Sequence, residues 1–359
     1  MKLKERRPFR RKRLVREQSR PVAPVSASAP SARPSRITLI DYTADSVTER
    51  KITEPEQCLP YRQSDSVTWI NVDGLGDRRT LEELARIMGL HALTLEDIFN
   101  TDLRPKIEDY GDYIYVVAKM LDIDRANEQI RVDQLSLVLG HNFVISVQEE
   151  AGDPFEPVRN RIRTAAGRSR KAGADYLAYA LLDVIVDQYF TVADWIGERI
   201  EALDELIVSE ERGDLMQHLY TLKRGVIFLR KSILPLREVA SGLRNVESDL
   251  IRDSTQPYLR DLYDHVVQVS DRIETCRDLL SSLQDAYLST ISNRTNTVMK
   301  IIAVFSSIFL PLTFITGVFG MNFEFMPLIH RPWGFAISVL SMLGIVAAML
   351  LFFRYKRWL

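Results

Sequence analysis

Charge is missing from two long stretches of this 359-residue sequence. No Asp, Glu, Lys or Arg lies between Ile301 and Phe323, or between Gly334 and Phe353. As a helix, each stretch is long enough to cross the hydrocarbon core of a bilayer, which is about 30 Å thick. The alternative is that both stretches are buried helices of a soluble protein. Two successive uncharged stretches of this length disfavour that alternative. The chain is therefore predicted to end in a transmembrane hairpin, with nearly all other residues on one side of the membrane.

Cysteine and the common catalytic motifs are also scarce. Cys58 and Cys276 are the only cysteines, far apart and outside any CxxC pattern, which indicates reduced cytosolic thiols rather than a disulfide framework. There is no Walker-type glycine-rich loop, no HExxH motif and no nucleophile elbow, so ATP-driven pumping and hydrolysis lack their usual residues. No His/Cys cluster has the spacing of zinc ligands. An enzyme is therefore disfavoured, and no organic cofactor is expected.

Basic residues flank the two uncharged stretches. Arg294 and Lys300 precede the first, and three basic residues within 354–359 follow the second. The connecting loop, residues 320–333, holds one acidic and one basic residue and has no cationic excess. Because Lys and Arg accumulate on the cytoplasmic side of short flanks, both termini are predicted to be cytoplasmic and the loop to lie outside.

The formal net charge of −1 hides a basic start. Residues 1–36 contain twelve Lys or Arg, two acidic residues, and five Pro among Ser and Ala, a composition that predicts disorder. Such a tail is consistent with solubilisation, a nucleic-acid patch, or attraction to anionic lipid of the cytoplasmic leaflet. With two membrane spans in the chain, lipid is favoured over nucleic acid, which is not expected as a partner.

Strand patterns predict an α+β cytoplasmic domain over residues 37–156. Two short helices are predicted to start at Thr80 and Thr94, each opened by a Thr followed by acidic residues. Beyond the domain, residues 157–256 are predicted to be helical. The sequences typical of strands are RITLIDY, VTWINVD, DYIYVVAKML, DQLSLVLG and HNFVISVQEE, the last two joined around Gly140 as in a hairpin.

Proline and glycine are missing from the 53 residues between Tyr258 and Leu310. An unbroken helix of that length is about 80 Å long, so residues 257–319 are predicted to form a cytoplasmic stalk helix continuous with the first span. Apolar residues along it alternate at spacings of four and three, which is typical of helices packed in a bundle. This seam comprises Leu262, Val266, Val269, Ile273, Cys276, Leu280, Leu283 and Tyr287.

These predictions together divide the chain into seven parts. The divisions are a disordered basic tail (1–36), an α/β domain (37–156), a helical region (157–256), the stalk and first span (257–319), the loop (320–333), the second span (334–353) and a basic C-terminus (354–359). One chain offers two spans, too few to enclose a pore, whereas several copies around an axis would enclose one.

Two polar patterns each have an ordinary and an ion-related interpretation. Carboxylates recur from Glu198 to Glu211, either as a solvated face or as a field that draws cations toward a pore mouth. Polar residues on the stalk are followed by apolar ones, either as a solvated stripe leading into lipid or as a wet stalk with a narrow hydrophobic neck that gates by excluding water. The second pattern comprises Asp285, Ser289, Ser292 and Asn296, then Met299, Ile302, Leu310 and Thr313.

The loop opens with Gly320, Met321 and Asn322. Glycine permits a sharp departure from the helix, and the Asn amide offers a neutral oxygen acceptor. Several copies of Asn322 would form a ring of such oxygens, which suits Mg²⁺ because this ion gives up its water reluctantly and prefers oxygen ligands. A simple turn is the alternative, and the position of the tripeptide between the two spans favours the ion-related interpretation.

The sequence FITGVFGMNFEFMP, with the preceding SNRTNTVMKIIAVFSSIFLPLT, resembles the CorA family of magnesium transporters. The resemblance extends through YLRDLYDH and TLEDIFNTDLRPKIE and covers roughly residues 37–359. It implies a funnel-shaped homopentameric channel in the cell inner membrane, with Mg²⁺ as both the transported and the regulatory ion. The implied selectivity filter is Gly320, Met321 and Asn322.

The resemblance also implies roles for other residues. It places Asn296, Met299, Ile302, Leu310 and Thr313 along the pore. Asp97 and Asp261 fall on an intersubunit regulatory metal site. In the wet-stalk interpretation of the helix face, the polar residues Asp285, Ser289 and Ser292 would extend this path along the stalk.

Three residues depart from the family pattern. Phe319 stands where Tyr is common, and Leu310 where Met occurs in the neck. Leu328 stands where an acidic residue is common, which leaves Glu324 as the only carboxylate of the loop to attract cations. A zinc transporter of the same superfamily is an alternative, although the absence of a His/Cys cluster favours Mg²⁺ or Co²⁺. A second alternative is a membrane-anchored metal sensor that conducts nothing, which would have no need of Asn322.

Overall fold

The computed structural model describes residues 23–27, 35–126, 128–150, 152–208, 215–321, 328 and 331–358. Two compact units are present, Met1–Leu283 and Gln284–Leu359. The loop residues Asn322 and Glu324, and Glu211 at the end of the carboxylate run, lie outside the described residues.

An eight-stranded sheet forms the centre of the first unit. Its order is β3-β2-β4-β8-β7-β6-β5, with β1 pairing to β7 off this path. Neighbouring strands are antiparallel except for the parallel pairs β4–β8 and β1–β7. The strands are β1 Ala23–Ala27, β2 Arg36–Tyr42, β3 Val47–Ile52, β4 Val67–Asp73, β5 Lys106–Asp109, β6 Tyr113–Asp124, β7 Gln129–Gly140 and β8 Phe143–Gln148.

Seven α-helices accompany the sheet among the described residues. They are α1 Arg78–Met88, α2 Ala92–Phe99, α3 Glu156–Arg163, α4 Ala174–Val208, α5 Leu215–Asn245, α6 Gln256–Phe319 and α7 Gly334–Tyr355, and a 3₁₀ helix spans Pro55–Gln63. Among the described residues no strand follows Gln148, which confirms the prediction that strands stop near residue 157. The predicted β7–β8 hairpin is also confirmed, and its loop has two residues.

The two short helices start earlier than predicted. Asp77 caps α1, since its carboxylate accepts hydrogen bonds from the Thr80 amide at 3.2 Å and the Thr80 hydroxyl at 2.7 Å. His91 caps α2 by accepting from the Leu93 amide at 3.2 Å. The hydroxyl of Thr94, which was expected to open α2, instead lies 2.8 Å from the Tyr113 hydroxyl and is buried. In both cases a polar residue three positions before the predicted Thr supplies the cap.

Part of the tail predicted to be disordered is ordered. Strand β1 pairs with β7 in register Ala23↔Gln129 to Ala27↔Val132. Strand β7 has twelve residues and β8 has six, so the start of β7 extends past β8 and leaves an edge that β1 covers. Prediction of disorder is therefore wrong for β1 and for the first residue of β2.

The face of the sheet beneath α3 carries a buried polar cluster. Both oxygens of Asp153 accept hydrogen bonds from Arg159, and the Asn71 and Gln148 amides donate to the same carboxylate at 3.0 Å. The Arg159 guanidinium lies 5.0 Å from the centre of the Trp69 ring. This cluster holds α3 against β4 and β8.

The first part of α6 packs against α4 and α5 of the same chain. Tyr258 contacts Tyr176 and Tyr179 of α4, and Glu274 pairs with Arg230 of α5 at 2.7 Å. The predicted seam is confirmed, because its members from Leu262 to Leu283 are at most 8% exposed, and only Tyr287 is half-buried. Each fully buried aliphatic side chain contributes about 1.5–3 kcal/mol, so the seam fixes this part of α6 firmly.

Three described helices, α4, α6 and α7, are long and apolar enough to cross a membrane. The apolar window of α4 is 61% buried within the chain, as expected for a core helix, whereas the windows of α6 and α7 are 6% and 0% buried. Water-soluble proteins rarely expose apolar surface on this scale. The α6 and α7 windows therefore require an apolar environment outside the chain.

Candidate conduction path and cytoplasmic carboxylates

The described part of the predicted filter lies at the end of α6. Helix α6 ends at Phe319, yet the Gly320 amide still donates to the Thr316 carbonyl at 2.9 Å. The φ angle of Gly320 is not positive, so the sharp departure expected at this glycine does not require a left-handed backbone. A Cβ at this position would lie 3.1 Å from the Thr316 oxygen, so glycine is favoured here by close approach. Met321 is 52% exposed.

The predicted pore-lining residues all lie on α6 and are exposed on this chain. Met299, Ile302 and Leu310 are 62%, 55% and 75% exposed, and Asn296 and Thr313 are also exposed. Three large apolar side chains with this much exposure form an apolar surface that the chain itself does not cover.

The geometry of a regular helix puts most of these residues on one face. At 100° per residue, the stalk and pore residues from Asp285 to Thr313 fall within an arc of about 120°, with Ile302 about 20° beyond its border. Small residues that share this arc but were not considered as pore residues include Ala303, Ser306 and Gly317. Each lies four residues from Met299, Leu310 or Thr313, and this helical spacing was the available signal. The Thr313 hydroxyl already donates to the Phe309 carbonyl at 2.8 Å, so toward the face it presents an acceptor.

An open cavity of about 580 Å³ adjoins the start of the first predicted span. Trp358, near the C-terminus, lines it and stacks on Phe353 with ring centres 5.8 Å apart. The other lining residues are Asn293, Asn296, Thr297, Met299, Lys300 and Ala303. The C-terminal segment thus lies beside two predicted pore residues, which no pattern in the sequence had indicated.

Asp97 lies on α2 and is bound by a cation of its own chain. The Lys106 ammonium lies 2.6 Å from one Asp97 oxygen, and the Asp97 side chain is 20% exposed. The same ammonium lies 2.7 Å from a Glu108 oxygen. Asp97 is therefore a partly exposed carboxylate that already contacts a cation, which it shares with Glu108.

Asp261 lies on the bundle part of α6 with its side chain 58% exposed. Its carboxylate is 3.9 Å from Nε2 of His265, whose Nδ1 is 3.5 Å from an oxygen of Asp183. Burial, followed by the charge of Asp187, raises the pKa of the Asp183 carboxyl. Sequence reasoning had not singled out Asp183, because its proximity to His265 depends on the packing of α4 on α6.

Asp97 and Asp261 are each paired within the chain to a different group. Within the described residues of one chain, no cluster of three or more His, Cys, Asp or Glu is arranged to hold a metal ion. A regulatory metal site that uses both carboxylates therefore needs ligands from a second copy or from water.

Comparison with known proteins decides the family. The family model of the CorA-like Mg²⁺ transporter protein matches residues 64–357. This chain belongs to the CorA family. It is 42% identical over 324 residues to the cobalt/magnesium transport protein CorA of Thermotoga maritima, covering 90% of the chain and 92% of that relative. Family membership places it among the membrane transporters of divalent cations, which agrees with the lack of enzyme motifs.

More distant CorA relatives share the fold. The complete structure of the CorA magnesium transporter from Methanocaldococcus jannaschii matches with a TM-score of 0.74 at 21% identity, covering 90% of this chain and 98% of that one. Full-length CmaX matches with a TM-score of 0.72 at 22% identity over the same shares. The zinc transport protein ZntB of Photorhabdus laumondii is 24% identical over 84% of this chain and 87% of that relative. Proteins similar to this chain are thus named for different ions.

Proposed function

We propose that this CorA-family chain forms a homopentameric channel that admits Mg²⁺, and also Co²⁺, down the electrochemical gradient. Intracellular Mg²⁺ bound between subunits closes it. The observation that carries the proposal is the two-part character of α6. Its seam is buried in the cytoplasmic bundle, and its apolar window is 6% buried in the same continuous 64-residue helix. A helix built in this way connects a sensing domain directly to a membrane pore.

Assembly around an axis accounts for the exposed face of α6. Each chain contributes two spans, and its pore-lining residues are uncovered by the rest of the chain. Five copies, the number that the family resemblance implies, would bring these faces together. Asp285, Ser289 and Ser292 would then line a wet stalk, and the apolar residues from Met299 to Leu310 a neck that gates by excluding water.

Asn322 and its neighbours Gly320 and Met321 form the selectivity filter in this proposal. A ring of neutral amide oxygens holds the water shell of Mg²⁺ by hydrogen bonds without trapping the ion, whereas a carboxylate ring would bind more tightly. Glu324 attracts cations to the outer mouth. A membrane potential of 100 mV contributes about 2.3 kcal/mol per charge, or about 4.6 kcal/mol for a divalent ion, which favours entry.

Closure uses Asp97 of one subunit and Asp261 of the next. Both are carboxylates, the ligand type that Mg²⁺ prefers, and both side chains have exposed surface. When Mg²⁺ is absent the two charges repel each other, and when it is bound it would link the subunits. Binding to the closed arrangement shifts the gating equilibrium by the difference in affinity between closed and open states.

The membrane placement follows from charge. Basic flanks on both spans put the termini in the cytoplasm and the loop outside, in the cell inner membrane. The basic tail then faces the anionic cytoplasmic leaflet, which attracts Lys and Arg.

Ion flux into proteoliposomes tests the proposal. Uptake of Mg²⁺, Co²⁺ and Zn²⁺ would be measured with and without an inward-negative potential, for the wild-type chain and for Asn322→Ala. The expected result is potential-driven Mg²⁺ and Co²⁺ uptake that the substitution abolishes while the oligomer stays intact by size-exclusion chromatography. Wild-type flux in an assembled Asn322→Ala protein would remove Asn322 from the mechanism, and absence of any flux would support the metal sensor that conducts nothing.

Zinc transport is the second candidate, favoured by the similarity to ZntB. The same assay separates the two, because a zinc transporter would take up Zn²⁺ under conditions in which Mg²⁺ uptake stays at background.

A further inference from the structure

Lys106 occupies a central position beside Asp97. Its ammonium bridges two carboxylates, at 2.6 Å from Asp97 on α2 and 2.7 Å from Glu108 on β5. Lys106 and Glu108 are two residues apart on β5, so their side chains lie on the same face of the strand. The side chains of Asp97, Lys106 and Glu108 are 20%, 30% and 38% exposed, so the cluster is partly shielded from water but open to an ion.

The surroundings keep this ammonium in place and charged. Lys106 lies 5.8 Å from the centre of the Tyr115 ring, and the Tyr110 hydroxyl donates to Glu108 at 3.0 Å. Burial, the largest single influence, acts to lower the pKa of Lys106, but the hydrogen bonds that its ammonium donates to Asp97 and Glu108 outweigh burial, and the pKa is raised. The hydrogen bond from Lys106 also has the largest influence on the pKa of Glu108, which it lowers. The cluster is thus an ammonium held between two carboxylates.

A divalent cation that approaches Asp97 therefore meets a carboxylate already in contact with a positive charge. To bind this carboxylate directly, Mg²⁺ has to displace the ammonium, and to bind beside it the ion has to tolerate repulsion at short range. Both routes weaken Mg²⁺ binding. Because Lys106 is covalently fixed, its local concentration does not change with the ionic composition of the cytoplasm.

We propose that Lys106 is a built-in competitor for the Mg²⁺ that binds Asp97, and that it sets the Mg²⁺ concentration at which the channel closes. This inference rests on the proposed regulatory role of Asp97 and specifies what tunes it. Without the ammonium, carboxylates from two subunits would hold Mg²⁺ more tightly, and the site would fill at Mg²⁺ concentrations below those it is meant to sense. With it, the site stays empty until Mg²⁺ is abundant.

A purely structural role for Lys106 predicts a different result. A partly exposed ion pair typically contributes at most about 1 kcal/mol to stability, and its loss would leave the Mg²⁺ midpoint unchanged. If Lys106 instead oriented Asp97 for the metal, its removal would raise the midpoint. Competition is the role that predicts a lower midpoint.

The experiment uses the full-length chain purified in detergent. Mg²⁺ is titrated while two quantities are followed, protection of the cytoplasmic domain from protease and heat released on binding in calorimetry. Lys106→Met is expected to lower the Mg²⁺ midpoint about tenfold, and Lys106→Arg to leave it near the wild-type value. The matched control is Lys51→Met, which removes one exposed lysine from β3, the strand at the opposite end of the sheet order from β5, and should change the midpoint less than twofold. An unchanged or higher midpoint in Lys106→Met would overturn the inference.

A fourth variant separates this inference from the proposed function. Asp97→Asn is expected to raise the midpoint, and adding Lys106→Met to it should then give no recovery, because the competitor has lost its target. If Asp97→Asn keeps the wild-type midpoint, the regulatory role of Asp97 fails. If Lys106→Met lowers the midpoint equally with and without Asp97, the lysine acts on another site and the competition at Asp97 is refuted.

Discussion

Arg159→Met should weaken the α/β domain far more than Arg163→Met, although both remove an arginine from α3. The Arg159 and Asp153 side chains are 12% and 4% exposed, and their ion pair is nearly buried. Deletion of one partner of such a pair leaves a buried charge without its counter-charge and costs about 3–5 kcal/mol. Arg163 is 38% exposed and pairs with Glu49 and Glu156, which are also partly exposed, so its loss should cost less than about 1 kcal/mol.

Native-state hydrogen exchange of the full-length chain measures this difference locally. The amides of β4 and β8, which carry Asn71 and Gln148 of the cluster, should exchange between about a hundredfold and a few thousandfold faster in Arg159→Met. In Arg163→Met they should exchange less than tenfold faster. Adding Asp153→Asn to Arg159→Met should restore part of the protection, because the uncompensated charge is gone. Equal exchange in the two single variants would refute the assignment of Arg159 as the buried partner.

Three further outcomes are expected. Ile302→Thr or Leu310→Thr should raise the leak current at high internal Mg²⁺, where the wild-type channel is expected to be shut, because a polar side chain lowers the barrier to water in the neck. If neither variant adds leak current, these side chains do not line the pore. Ile273→Ala, at a seam position that is 1% exposed, should cost about 2–5 kcal/mol in hydrogen-exchange protection of the bundle, whereas Leu279→Ala, 47% exposed, should cost less than about 1 kcal/mol. Burial raises the pKa of Asp133 to about 6 from its usual 3.8. The stability that the protonated carboxyl contributes is therefore fully present below pH 3.8, and about 3 kcal/mol of the free energy of unfolding is lost as the pH rises to 6. Asp133→Asn should remove this pH dependence from a series of thermal unfolding measurements.

Local patterns predicted the elements but not their partners. The strands β2 and β4 follow from alternation of apolar residues, and the β7–β8 hairpin from a turn between two such runs. The parallel pair β4–β8 joins residues 75 apart in sequence, such as Thr68 and Phe143, and no local pattern specifies a pairing over that distance. The start of α1 was misplaced because Asp77 and Thr80 are both good caps, and only the structure decides between them.

The candidate site shows the same division. The face of α6 was predictable because helical periodicity alone determines which residues share a face. The role of Lys106 was not predictable, because its contact with Asp97 depends on how β5 lies beside α2. The spacing of nine residues between the two carries no signal by itself.

Because α6 is one continuous helix, an insertion within it would rotate the residues beyond it about the helix axis as well as move them along that axis. Insertion of one residue between Leu283 and Asn296 would turn every residue beyond it by about 100° and move it along the axis by only about 1.5 Å. Insertion of seven residues would restore the phase to within about 20° while lengthening the helix by about 10 Å. The length of this segment is thus free to vary in steps of seven residues, whereas a change of a single residue would turn a different set of side chains toward the proposed ion path.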